Sequence, residues 1–354
     1  MRQSLGVAVI AVAALLGAHA APAETLRVGW CARTVTSAAA PFAIANKMGW
    51  FKAAGGFDVE LVPLPGSTDC IKYVGTGEIR YSVPSVEPLA SLRPQGLLAK
   101  VFYTAYQGNI YGPAVPADSP IKTLEDLKGK SIGVQSMSSG GVPVARAIAA
   151  TLGLDPNSVN IVVVGEGAQA AALVRSHQVD ALSLYDTQYA LIDNLGVKLR
   201  RIEAKMIDRF PSNGFIALDE TLAKHRKEAV ALAQGYAKGT IFAIANPEAA
   251  VRILWEVFPQ TKATGKDEAT ALRDDIRTLE ARAENWRLEK AGVKRWGESA
   301  EANYQAYLDF LLKTAVIKQP VKASDVVTND LIADIDNFDV EKIKVEAAAY
   351  KVAK

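Results

Sequence analysis

Apolar runs with a strand period alternate with helix-period segments through the first two-thirds of the chain, which predicts layered α/β architecture. Residues 25–30 read as a strand and 41–54 as a helix with Phe42, Ala45, Met48 and Trp50 on its apolar side, ended by Gly55-Gly56. Strands follow at 57–62, 79–83 and 98–106, separated by short helices at 69–76 and 88–92. A second block repeats the alternation, with strands at 131–134, 159–164, 180–184 and 214–218 and helices at 143–152, 169–176 and 188–195. The remaining third is amphipathic and helical, at 222–246, 247–257, 268–279 and 300–312.

Two stretches share one plan: an apolar strand, a loop of small residues, then a proline opening a helix. The first carries Thr34, Thr36, Ser37 and Pro41; the second carries Ser136, Ser138, Ser139, Gly140, Gly141 and Pro143. Proline is tolerated in a first helical turn because the amide it lacks has no partner there. The remaining first-turn amides point outward at the positive end of the helix dipole and suit an anionic or carbonyl oxygen. Two such tips, one in each half, are expected to face each other across a cleft.

Arg2, the apolar run 5–16 and the small residues at 18–23 have the form of an export signal, so residues 1–23 are expected to be removed. The run is too short for a span of ~20 residues. The mature chain exceeds the usual size of one core, which predicts two lobes. Charges nearly balance, 40 basic against 38 acidic residues, and nothing points to nucleic acid. An exported chain with two cysteines, Cys31 and Cys70, favours a disulfide over a metal pair, since the three histidines lack ligand spacing. No metal and no cofactor are expected.

The segment 41–51, followed by Gly56-Phe57-Asp58-Val59, resembles the first helix and second strand of periplasmic substrate-binding proteins of ABC importers, in the NMT1-like branch that binds sulfonates, taurine and thiamine-pyrimidine precursors. Residues 124–134, Gln178-Val179-Asp180-Ala181 and Asn246-Pro247-Glu248-Ala249-Ala250 match the same pattern in order. Arg80 stands where relatives carry an aspartate, and Tyr185-Asp186 where they present small residues or proline. The resemblance implies a type II periplasmic binding fold of two α/β lobes joined by a two-strand hinge. Lobe one would be 24–109 with 215–354, lobe two 110–214, and the crossing strands would lie near 110–115 and 211–215.

Ligands of open α/β sheets bind beyond the carboxyl ends of the strands. That rule selects Thr34, Thr36, Ser37, Thr68, Asp69, Glu87 and Tyr106 in lobe one. In lobe two it selects Ser136, Ser138, Ser139, Gly140, Gly141, Tyr185 and Asp186. Serine hydroxyls and glycine amides form an anion cradle, Glu87 and Asp186 suit a ligand nitrogen, and Tyr106, Tyr111 and Tyr185 clamp a flat body. Arg33 is a further candidate partner for a ligand acid. Capping and core packing are the ordinary alternatives for each.

The chain is expected to be a non-enzymatic, monomeric capture protein that delivers a small organic acid, a sulfonate or an aromatic or aliphatic carboxylate, to a membrane permease. A nitrogenous heterocycle such as a thiamine pyrimidine precursor, or a sensor docking on a receptor, are the alternatives. The nucleophile-elbow, Cys–His and zincin motifs of enzymes are missing, as is the cysteine cluster of the thiamine-pyrimidine-forming relatives.

Overall fold

The computed structural model describes residues 24–351, so the predicted export signal lies outside the described residues. Ten strands form two five-stranded sheets. The first has the order β2-β1-β3-β10-β4, built from β1 (Glu24–Trp30), β2 (Phe57–Pro63), β3 (Tyr81–Ser82), β4 (Ala99–Thr104) and β10 (Gly214–Leu218). The second has the order β7-β6-β8-β5-β9, from β5 (Tyr111–Pro116), β6 (Ser131–Val134), β7 (Asn160–Val163), β8 (Ala181–Tyr185) and β9 (Leu199–Arg201). Each sheet has a parallel trio, β2, β1, β3 or β7, β6, β8, flanked by an antiparallel pair containing the strand next to a crossing. The chain is thus an α/β protein with two similar lobes.

Passage between the lobes occurs at 105–110 and 202–213. These segments run side by side, with the amides of Ala105 and Tyr106 donating to the Asn213 carbonyl at 3.0 Å and the Ser212 amide to the Tyr106 carbonyl at 3.1 Å. Residues 111–116, expected in the crossing itself, are instead β5, paired to β8 on one side and β9 on the other.

Helices cover both sheets. The predicted helix 41–54 is two: Ala40–Lys47 and Trp50–Gly55, broken where Gly49 adopts a left-handed φ of +68° that a continuous helix excludes. The long helix Arg226–Ala245 starts after a break at His225 and packs over Ala40–Lys47. Between them the first core closes on aromatic rings: Tyr236 lies 4.8 Å from Phe42 and 5.0 Å from Phe215, centroid to centroid. The helix Glu268–Trp286, placed by sequence in lobe one, also lies against the lobe-two helix Asp186–Asn194, where the Asn194 amide nitrogen donates to the Asp274 carbonyl at 2.8 Å. Among the described residues no helix is long and apolar enough to cross a membrane.

Candidate ligand-binding cleft

β1 delivers the chain to the lobe boundary. After Trp30 the chain turns through 31–36, held by the Trp30 indole N–H donating to the Thr34 carbonyl at 2.9 Å. Cys31 is bridged to Cys70 in the helix Ser67–Gly75, so two strand-end loops of lobe one are tied together beside the cleft. Thr36 precedes the first helical turn in extended backbone, its side chain making no cap bond. Ser37 is buried, and its hydroxyl has no partner among the described residues.

Thr34, Thr36, Tyr106, Tyr111, Tyr185, Thr187 and Arg282 surround a space of about 30 Å³ between the lobes. Arg282 is the charged group of this lining. It is 3 % exposed, with Nη2 2.6 Å from Oδ1 of Asp186 and Nε 2.9 Å from Oδ2. Its carbon Cζ lies 4.0 Å from the centre of the Tyr106 ring, a cation–π contact. Asp186 takes a further bond of 2.9 Å from the side-chain amide of Asn285. Burial works against the guanidinium charge, but Asp186, Tyr106 and Tyr236 outweigh it and hold the arginine protonated. Its Nη1 is the nitrogen that Asp186 does not engage. Burial also pushes the hydroxyls of Tyr106, Tyr111 and Tyr185 up, so each remains a neutral donor. Tyr111 and Tyr185 meet edge to face with centroids 6.0 Å apart.

Two further contacts seal the lobes. The backbone amides of Arg33 and Thr34 donate to the two carboxylate oxygens of Glu166 at 2.9 and 3.0 Å, and the Gln135 amide bonds the same carboxylate. On the other side, the Thr68 amide donates to the Ser138 carbonyl at 3.1 Å and the Ser136 hydroxyl to the Pro65 carbonyl at 2.8 Å. A Cβ on Gly66 would stand 2.6 Å from the Ser138 carbonyl, so only glycine permits this approach.

The sequence-selected residues therefore divide. Thr34, Thr36, Tyr106 and Tyr185 face the cleft, and Ser37 lies behind them. The serine–glycine tip is occupied by contacts of its own. Ser136 and Ser138 touch lobe one, the Ser139 hydroxyl accepts from the Gly141 amide at 3.0 Å, and the Gly141 carbonyl accepts from Ser183 at 2.8 Å. Gly140 packs against the hydroxyls of Ser85 and Tyr111. The loop expected to cradle an anion thus also forms a lobe–lobe seam, with the Ser136 hydroxyl and the Gly141 amide bonded to protein. Thr68 belongs to that seam, and Asp69 sits half-buried beside it in the first turn of Ser67–Gly75.

Both acids selected for a ligand nitrogen have protein partners, although Oε2 of Glu87 is buried without one among the described residues. Asp186 is spent on Arg282 and Asn285. Glu87, 3 % exposed, accepts a bond from the Tyr307 hydroxyl, and burial raises its carboxyl above the usual range. The side chain of Arg33 is exposed while its backbone serves Glu166.

Arg282 and Thr187 were not selected from sequence. Arg282 did leave a signal: it stands between Leu279 and Trp286 on the buried side of an amphipathic helix, where a cation needs a reason. Among the described residues no group of three or more His, Cys, Asp or Glu is placed to hold a metal.

Solved structures share the architecture. A protein from Bordetella bronchiseptica RB50 is 21% identical with a TM-score of 0.66 over 88% of this chain and 96% of its own. The alkanesulfonate-binding protein SsuA of Xanthomonas axonopodis pv. citri, bound to MOPS, is 18% identical with a TM-score of 0.64 over 87% and 99%. The periplasmic aliphatic sulphonate binding protein SsuA of Escherichia coli is 15% identical, with a TM-score of 0.63 over 88% and 100%. The fold is that of periplasmic binding proteins. No curated protein matches the sequence. A family described as NMT1/THI5 like matches residues 36–250, well over half of the chain, in the order the sequence motifs indicated, and the chain belongs to that family.

Proposed function

We propose that this chain is the substrate-binding component of an ABC importer, exported to the periplasm, which closes on one compact organic acid and presents the closed form to a permease. The observation that carries the reading is the buried Arg282 at the lobe boundary, with one guanidinium nitrogen left unengaged by Asp186 on a cleft whose lining includes three threonines and three tyrosines. A carboxylate or sulfonate would take that nitrogen and the hydroxyls of Thr34, Thr36 and Thr187, while the tyrosine rings cover its apolar part. The sulfonate-binding neighbours support the same class of ligand.

Closure would supply the selectivity. Lobe one holds Thr34, Thr36 and Tyr106 and lobe two holds Tyr185 and Thr187, so only the closed form makes both sets of contacts. The present space of about 30 Å³ is too small for such an acid, so binding requires the Glu166 and Ser138 seams to part and the lobes to close less far around the ligand than they do here.

Calorimetry against short alkanesulfonates, taurine, benzoate and aliphatic carboxylates tests this, with Arg282→Lys beside the native protein. Lysine keeps the charge opposite Asp186 but loses the planar fork, so affinity for the acid should fall by about 1.5–3 kcal/mol. Heat from none of these acids, or equal affinity in Arg282→Lys, would refute the reading. A nitrogenous heterocycle is the second reading, favoured by the neutralisation of Arg282 by Asp186, and pyrimidines belong in the same titration series.

A further inference from the structure

Lobe two contains a second cavity, of about 300 Å³, separate from the cleft. It lies between the sheet and the helix Gly141–Thr151, and its walls are Leu127, Ile132, Ile148, Leu152, Leu154 and Val159. The reason for the space is local. Ala145 and Ala149, one turn apart, are buried and line it, so the helix offers methyl groups where a layer of larger side chains would fill the gap to the sheet. The volume is roughly twice the ~150 Å³ of an engineered apolar cavity that takes up benzene.

The polar rim gives the occupant its head group. Ser183 on the inner wall is already satisfied by the Gly141 carbonyl at 2.8 Å, and Ser158 by the Asp155 carbonyl at 2.8 Å. Lys130 at the rim is exposed and makes no ion pair within 4 Å among the described residues. Its acidic neighbours Asp126 and Asp180 feel its charge but hydrogen-bond to other groups. Asp126 accepts from the amides of Lys122 and Thr123 at 2.8 and 3.0 Å, and Asp180 from the amide and hydroxyl of Ser131 at 2.8 and 2.7 Å.

We propose that this cavity is a second ligand site, for a small apolar monocarboxylate of single-ring size, with the ring among Ile132, Ile148 and Leu152 and the carboxylate on Lys130. The proposal does not depend on what the interlobe cleft binds.

The probe is 4-bromobenzoate, titrated calorimetrically into the full chain and soaked into its crystals. One equivalent should bind the cavity, and Arg282→Lys should leave that event unchanged. Lys130→Gln should weaken it by about two- to fivefold, as loss of one exposed ion pair does. Ala149→Phe, which fills the space, should abolish it while circular dichroism stays native. The bromine anomalous peak should fall between Ile132 and Ala149. Absence of binding at millimolar probe, a bromine peak confined to the interlobe cleft, or heats equal in the native protein and in Lys130→Gln would overturn the proposal. If Ala149→Phe fails to fold, Lys130→Gln and the bromine position decide.

Discussion

Arg282 and Asp186 form a buried, two-pronged ion pair across the lobe boundary, 3 % and 8 % exposed, at 2.6 Å between Nη2 and Oδ1. They stand 96 residues apart, in the helix Glu268–Trp286 and at the start of Asp186–Asn194. Such a pair repays its desolvation only through good geometry and extra bonds, here from Asn285 and the Tyr106 face. It orients the arginine toward the cleft and couples the C-terminal helices to lobe two.

Removing one partner leaves a buried charge without compensation. Asp186→Ala should lower stability by about 3–5 kcal/mol in urea unfolding, whereas the apolar pair Asp186→Leu with Arg282→Met should cost clearly less. Equal losses in the two variants would mean that packing, rather than charge, dominates the site.

Glu87 links stability to pH. Burial is the leading cause of its raised pKa, opposed by the nearby Ser85 hydroxyl and the bond from Tyr307. A carboxyl that binds its proton more tightly when folded stabilises the fold fully below the unfolded-state pKa, and that contribution is lost as pH rises through the folded value. Glu87→Gln should therefore flatten the decline in stability from the ordinary glutamate range upward. Thermal melts of both proteins across mildly acidic to neutral pH check this, and parallel curves would exclude Glu87 as the source.

Gly66→Ala should hold the lobes apart, because the added methyl meets the Ser138 backbone at 2.6 Å. The lobes themselves should remain folded, within about 1 kcal/mol of native stability, since the clash is relieved by opening. Small-angle scattering should show a more extended particle and ligand affinity should drop. An unchanged scattering profile would show that the loops accommodate the methyl without opening.

The Cys31–Cys70 bridge spans 39 residues of sequence, a loop whose closure limits the unfolded chain by about 4 kcal/mol in the chain-entropy account. Cys31→Ser with Cys70→Ser should lose about 2–4 kcal/mol and loosen the cleft loops it ties. A double variant as stable as the native protein would assign the bridge no role in the fold.

Much of this was legible along the chain. Alternation of strand and helix periods exposed the α/β layering, and the rule that ligands gather at strand ends picked Thr34, Thr36, Tyr106 and Tyr185, all of which line the cleft. The helix break at Gly49 was hidden because apolar periodicity runs through it; only the positive φ marks the turn. The serine–glycine tip showed its polar groups but not that Pro65 would take the Ser136 hydroxyl, or that Thr68 and Ser183 would donate to the Ser138 and Gly141 carbonyls. Asp186 and Glu87 read as free carboxylates because their partners, Arg282 and Tyr307, lie 96 and 220 residues away.

Local order is written into the sequence through side-chain periodicity, proline and glycine, which act over a few residues. Two lobes, their family and the loops that meet between them follow from that. Which donors remain for a ligand is decided by burial and by partners distant in sequence, since only tertiary packing determines whether a polar group is already satisfied.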